Sequence, residues 1–159
     1  MQICKLALTA ALVAGFALAQ QPAASPKLYT SAAEVTAMMA KAKAERKDQP
    51  NIINNLLRLP PYSAGLEYRA GIGPAAVHPT ELEMFYVVDG SGTLVTGGKL
   101  VSPNAANTSG TGIEGGESRK IAKGDFVMVP ENTPHWFSAI DGTLVLMSFH
   151  APRPVPSGK

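Results

Sequence analysis

His78-Pro-Thr-Glu-Leu-Glu-Met-Phe-Tyr-Val-Val-Asp-Gly90 is the stretch on which the reading of this 159-residue chain turns. It sets a histidine and two carboxylates, Glu81 and Glu83, directly before an apolar strand and a glycine turn. A second stretch, Gly124-Asp-Phe-Val-Met-Val-Pro-Glu-Asn-Thr-Pro-His135, reverses the order: glycine turn, strand, proline-bounded turn, histidine. Imidazole nitrogens and carboxylate oxygens carried on different strands are the raw material of zinc, iron and manganese sites. Two histidines and one carboxylate form a facial ligand set that leaves coordination positions open.

Working outward, the chain is long enough for one domain with a single core. Residues 1–19 read as a secretory signal peptide, with Lys5 as a short positive region, Leu6 to Leu18 as an uncharged apolar run and Ala17-Leu18-Ala19 as the cleavage site, so cleavage falls before Gln20. The run is shorter than the roughly 20 apolar residues that span a bilayer, so no membrane span is expected in the mature form. The product is expected to be exported, periplasmic or secreted. The one cysteine, Cys4, lies inside the signal, which excludes a disulfide from the mature chain. Loss of Lys5 takes Lys and Arg from 14 to 13 against 12 Asp and Glu, a balance that gives no electrostatic case for nucleic acid.

Gln20 to Lys27, with two prolines and small polar residues, reads as a flexible leader, which the domain division extends to residue 29. Ser31-Ala-Ala-Glu34 fits a capping box, and Val35, Met38, Met39 and Ala42 recur at helical spacing. Residues 30–50 are therefore assigned to an N-terminal helix ended by Pro50. From Asn51 the pattern becomes short apolar runs broken by Gly, Pro and Asn, the signature of an all-β domain. Candidate strands are Ile52 to Leu57, Gly65 to Ala70, Met84 to Val88, Gly92 to Thr96, Ser118 to Ala122, Asp125 to Val129, Trp136 to Ala139 and Thr143 to Phe149. Many short antiparallel strands point to a jelly roll or related barrel. Ser102 to Glu117 holds ten Gly, Asn, Ser or Thr among sixteen residues and reads as an extended loop or loosely paired hairpin, either a tolerated insertion or a rim over a barrel mouth.

The two opening stretches together resemble the paired motifs of the cupin superfamily. Glu83, followed by six residues and Gly90, matches the end of the first motif, and His78, with four residues before Glu83, matches its second histidine. Gly124, Pro130 and His135 match the second motif at its spacing. The chain departs from the pattern at four places: Ala76 stands in the first histidine slot, Ala70 at the initial glycine with Gly71 one residue later, Asn132 at the inner glycine, and Ala139 at the terminal asparagine.

The resemblance implies an all-β cupin jelly-roll barrel over residues 51–150, with one N-terminal α-helix and a flexible tail at 151–159. It also implies one divalent transition metal held by His78, Glu83 and His135. Iron, manganese, zinc and nickel all suit such ligands. Glu81 competes with Glu83 as the carboxylate and is the candidate for proton transfer; a surface pair of Glu83 with Arg69 or Lys99 is the plain alternative. Phe85 and Val87 share the parity of Glu83 and are expected, with Phe137, to wall the pocket, while Tyr86 points away. Tyr68 or Arg69 would anchor a substrate, without parity deciding between them. His150 shares parity with Leu144, Leu146 and Ser148, but the tail begins at once, and a rim or surface position at the strand end is the favoured reading.

The functional expectation is a metal-dependent enzyme acting on a small organic molecule, of oxygenase, isomerase or lyase type. The alternative is a non-enzymatic module that binds or senses a sugar or organic acid. A homodimer through the edge near Ile52 to Leu57 is a further expectation, opposed by Arg58, Pro60 and Pro61.

Overall fold

The computed structural model describes residues 25–153. The signal segment, its cleavage site and most of the leader lie outside the described residues, as does the tail beyond Arg153. One helix, α1 (Ala32–Glu45), precedes ten strands: β1 (Asn51–Leu59), β2 (Tyr62–Arg69), β3 (Ala75–Ala76), β4 (Glu81–Thr96), β5 (Lys99–Val101), β6 (Ser109–Gly110), β7 (Gly112–Glu114), β8 (Glu117–Ala122), β9 (Phe126–Val129) and β10 (His135–Pro152). Among the described residues, no helix is long and apolar enough to cross a membrane.

The capping box forms: the Ser31 side chain accepts from the Glu34 amide, and the Glu34 carboxylate accepts from the Ser31 amide. The helix ends at Glu45, short of Pro50, whose carbonyl instead accepts from the Ala70 and Gly71 amides and ties the entry of β1 to the exit of β2. The helical stripe packs on β1 and β2, where Ala42, Leu56, Leu66, Tyr68 and Val145 are buried together with Val35, Met38 and Met39 against them. The leader is less free than its composition implies. Lys27 exchanges two backbone hydrogen bonds with Arg58, at 2.9 and 2.8 Å, and the Thr30 hydroxyl donates to the Leu56 carbonyl.

Two strands run longer than sequence punctuation predicts. Met84 to Val88 and Gly92 to Thr96 belong to one continuous β4, and Trp136 to Ala139 and Thr143 to Phe149 to one β10. Asp141 to Thr143, opposite Ser91, and Val88 are bulges rather than turns, since the pairing resumes beyond them in the same direction, with Asp89 and Gly90 paired to Val145 and Leu144. Gly90 has φ +78°, and a Cβ there would lie 1.9 Å from the Thr143 carbonyl oxygen, so only glycine fits. The residues given to a tail at Ala151 and Pro152 continue β10, pairing with Leu82 and Glu81.

β4 and β10 take part in two sheet arms. One arm runs β1-β2-β10-β4-β9 and the other β6-β3-β10-β4-β8. Between them lie Phe85, Val87, Leu94, Ile121, Val129, Phe137, Leu144 and Leu146, all nearly or fully buried. Burial at about 1.5–3 kcal/mol per large apolar side chain makes this interior the main source of cohesion. The Ser102 to Glu117 segment is a paired hairpin in part: β5 pairs with β7, and β6 adds to β3.

Candidate metal centre

Each arm delivers a ligand from its own backbone constraints. Glu83 sits on β4 with Phe85 and Val87 on the same face, and it is 4% exposed. His135 opens β10 directly opposite Ala76 and Thr96 and is 5% exposed. His78 follows β3, and its carbonyl accepts from the Asn132 amide at 2.7 Å, so the loop before β4 is tied to the turn before β10. That turn needs a left-handed residue at position 132, and Asn132 adopts φ +55°, which asparagine tolerates better than most side chains. The substitution of asparagine for the motif glycine therefore preserves the turn.

His78, Glu83 and His135 come together with ligand atoms close enough to share one ion. The Nε2 atoms of His78 and His135 lie 3.2 and 3.0 Å from the same carboxylate oxygen, Glu83 Oε2. Neither ring is aimed along a hydrogen bond to it, and this buried oxygen has no formed partner. His135 Nδ1 lies 3.2 Å from the Thr133 carbonyl, which holds the ring proton on Nδ1 and leaves the Nε2 lone pair facing the carboxylate. The nitrogen and the carboxylate oxygen, 3.0 Å apart, need a proton or a metal ion between them, and an oxygen-and-imidazole donor set fits a divalent transition metal. The residues present therefore fit the group.

Burial alone would raise the Glu83 pKa, but the imidazoles of His135 and His78 within hydrogen-bonding reach outweigh it and hold the carboxyl at about 2. Proximity to Glu83 raises His78, against the opposing effect of its own partial burial.

His150 is at the rim, as the favoured reading has it, but its ring is turned toward the cluster rather than to the surface. It lies directly opposite Glu83 in the β4–β10 register, so both side chains project from one face. Its Nε2 is 3.2 Å from Glu83 Oε1, its Nδ1 is 3.3 Å from Glu81 Oε2, and its ring centroid is 5.1 Å from that of His78. The strand continues two residues past it, so the parity shared with Leu144, Leu146 and Ser148 holds and brings the ring to the cluster. That parity was the available signal; the prolines of the next segment obscured it. Glu81 stands at the rim, while Glu83 occupies the centre and pairs with neither Arg69 nor Lys99.

The expected wall residues Phe85, Val87 and Phe137 line the interior beneath this cluster, with Phe85 centred 6.0 Å from His135 and 5.4 Å from Phe137. Arg69 points the same way: its guanidinium lies 4.4 Å above the Phe137 ring and its Nε donates to buried Glu67 at 2.9 Å. Tyr68 faces α1 instead. Tyr86 is exposed, as its parity predicts. The interior is filled by aromatic and aliphatic side chains, and a cavity of about 510 Å³ lies elsewhere, on the outer face between the leader, α1 and β4. The cluster is reached from the rim, where the His78 and His150 side chains are 32% and 24% exposed.

The family model described as cupin matches residues 50–154. The chain belongs to the cupin family. Solved structures similar to this cupin include Fe(II) HppE, with 17% identity, TM-score 0.52 and coverage of 67% of this chain and 53% of that one. KdgF from Halomonas sp. matches at 17% identity and TM-score 0.51, covering 69% of this chain and 86% of its own. A putative mannose-6-phosphate isomerase from Ralstonia eutropha matches at 19% identity and TM-score 0.51, covering 67% and 90%. The cupin thus spans about half the length of HppE, and at these identities the likeness is one of fold. No curated protein matches by sequence.

Proposed function

We propose that this cupin is exported, binds one divalent transition metal through His78, Glu83 and His135, and converts a small organic molecule at the rim of the barrel. The observation that carries the reading is the buried Glu83 oxygen faced by two imidazole nitrogens without a formed hydrogen bond. A divalent transition metal held there supplies Lewis acidity and open coordination positions. The chain's own residues do the rest. Phe85, Val87 and Phe137 exclude water beneath the site, and Glu81, at the rim, is the carboxylate placed to accept a substrate proton. Arg69, inward and stacked on Phe137, offers cationic character to an anionic substrate group, tempered by its pairing with Glu67.

Elemental analysis of protein purified without a metal-affinity tag tests the first step. Near-stoichiometric metal, lost in His135→Ala, supports it, and a metal-free, folded wild type refutes it. With metal present, turnover of catechols, flavonols or keto acids under oxygen, or isomerised or eliminated products from sugar acids, would establish the enzyme. The second reading, a module that binds a sugar or organic acid without converting it, draws on Glu81, the candidate proton acceptor, lying 3.3 Å from His150 Nδ1 rather than standing free. Tight binding without product in the same assays would select that reading. The outer edge of β1 near Ile52 to Leu57, where the Thr30 hydroxyl donates to the Leu56 carbonyl and Lys27 lies opposite Arg58, is the edge we propose for a second copy of the chain.

A further inference from the structure

The structure assigns a fourth protein ligand that neither motif supplies: we propose that His150 coordinates the same metal through Nε2, replacing the histidine missing at Ala76. This rests on the metal reading above and extends it to a site of three imidazoles and one carboxylate.

Ala76 is paired directly with His135, so its Cβ projects from the sheet on the side of the His135 ring. A histidine there would stand beside the cluster, and alanine leaves that side without a donor. His150 approaches from the other arm. It is paired directly with Glu83 as Ala76 is with His135, and its Nε2 lies 3.2 Å from Glu83 Oε1 while the other two imidazoles face Oε2. Its ring meets that of His78 edge-on with centroids 5.1 Å apart, close to the 5.3 Å between His78 and His135. Three rings therefore surround one carboxylate, and the ligand atoms of His150, His78 and Glu81 form a second close set that shares His78 with the first, so the lost donor returns on a different strand.

The second nitrogen supports the same assignment. His150 Nδ1 is buried and makes no formed hydrogen bond, although Glu81 Oε2 is 3.3 Å away. Coordination at Nε2 fixes the ring proton on Nδ1, which then has Glu81 as its acceptor. A carboxylate behind a ligating imidazole orients the ring and raises its basicity. Glu81 thereby acquires a positioning role distinct from that of Glu83. Four protein ligands would still leave room at such a metal for a small molecule or water.

The experiment is a titration of the EDTA-stripped full chain with Co(II) and Zn(II), alongside electron paramagnetic resonance of the Cu(II)-loaded protein. Wild type should bind one ion per chain and show nitrogen couplings from three imidazoles. His150→Ala and the near-isosteric His150→Gln should weaken binding by more than the about 10–100-fold that outer partners contribute, and show two couplings. Glu81→Gln should fall within that about 10–100-fold range and keep three couplings. Ala76→His added to His150→Ala should recover affinity and the third coupling. Unchanged affinity and couplings in both His150 variants, with thermal melts of the metal-free proteins showing them folded, would overturn the assignment while leaving the three-residue site intact. Two ions per wild-type chain would also overturn it, by giving His150 and Glu81 a separate site. A wild type that binds none removes the metal reading itself.

Discussion

Replacing Glu83 with glutamine in the metal-stripped protein isolates the electrostatics of the cluster. The carboxyl is buried and held at about 2 against an ordinary 4.5. At about 1.4 kcal/mol per pKa unit, that depression corresponds to roughly 3 kcal/mol of folding stability in the ionised state. The sign follows from the direction of each shift. A depressed carboxyl contributes above its unfolded value, near 4.5, and loses the contribution as pH falls through about 2. The raised His78 contributes below its unfolded value of 6.5 and loses its share as pH climbs through the higher folded value. The His78–Glu83 contact enters both shifts, so it is counted once, and the larger share of the Glu83 depression comes from His135. Wild type should exceed Glu83→Gln by about 3 kcal/mol between pH 4.5 and 6.5, with the gap closing toward acid and narrowing toward alkali. Urea denaturation followed by circular dichroism across this range, in the presence of EDTA, measures it. A gap that stays constant with pH, or none at all in the middle of the range, would refute the reasoning.

Other outcomes follow from packing and geometry. Gly90→Ala should cost more than about 2 kcal/mol, because the new Cβ collides with the Thr143 carbonyl in a left-handed backbone; a thermal melt within a degree of wild type would contradict this. Leu66→Ala, at a fully buried contact between β2 and α1, should cost about 2–5 kcal/mol in urea denaturation. Ser31→Ala should cost about 1 kcal/mol by removing one half of the capping box, without altering metal affinity. Metal affinity should weaken as pH drops below neutrality, since protons compete for His78, whose pKa is raised; equilibrium titration at several pH values checks this.

The fold was legible where local chemistry and global architecture agree. Ser31 and Glu34 mark the helix start, and the parity of Glu83, Phe85 and Val87 sorts one face from the other with no tertiary information. The lengths of β4 and β10 were not legible, because Asp89-Gly90 and Asp141-Gly142 carry turn chemistry and only the register of the two strands, with Gly90 on Leu144 and Gly92 on Ile140, carries the ribbon past them. His78, Glu83 and His135 were identified because each lies at a motif spacing. His150 was not, because its role depends on standing opposite Glu83, a register that no single strand specifies. Asn132 shows the converse: a departure from the motif that the backbone absorbs at φ +55°.

The two arms built from β4 and β10 make the position of the cluster mechanically consequential. His135 and His150 are separated by fifteen residues of a single strand, about 50 Å of extended chain at about 3.3 Å per residue, yet both rings touch the same carboxylate. The ribbon must therefore double over, and the cluster is a clasp across its open end. A cation there cross-links the extremities of one strand, so its binding should slow amide exchange at both ends of β10 together and leave the bend at Asp141-Gly142 unaffected.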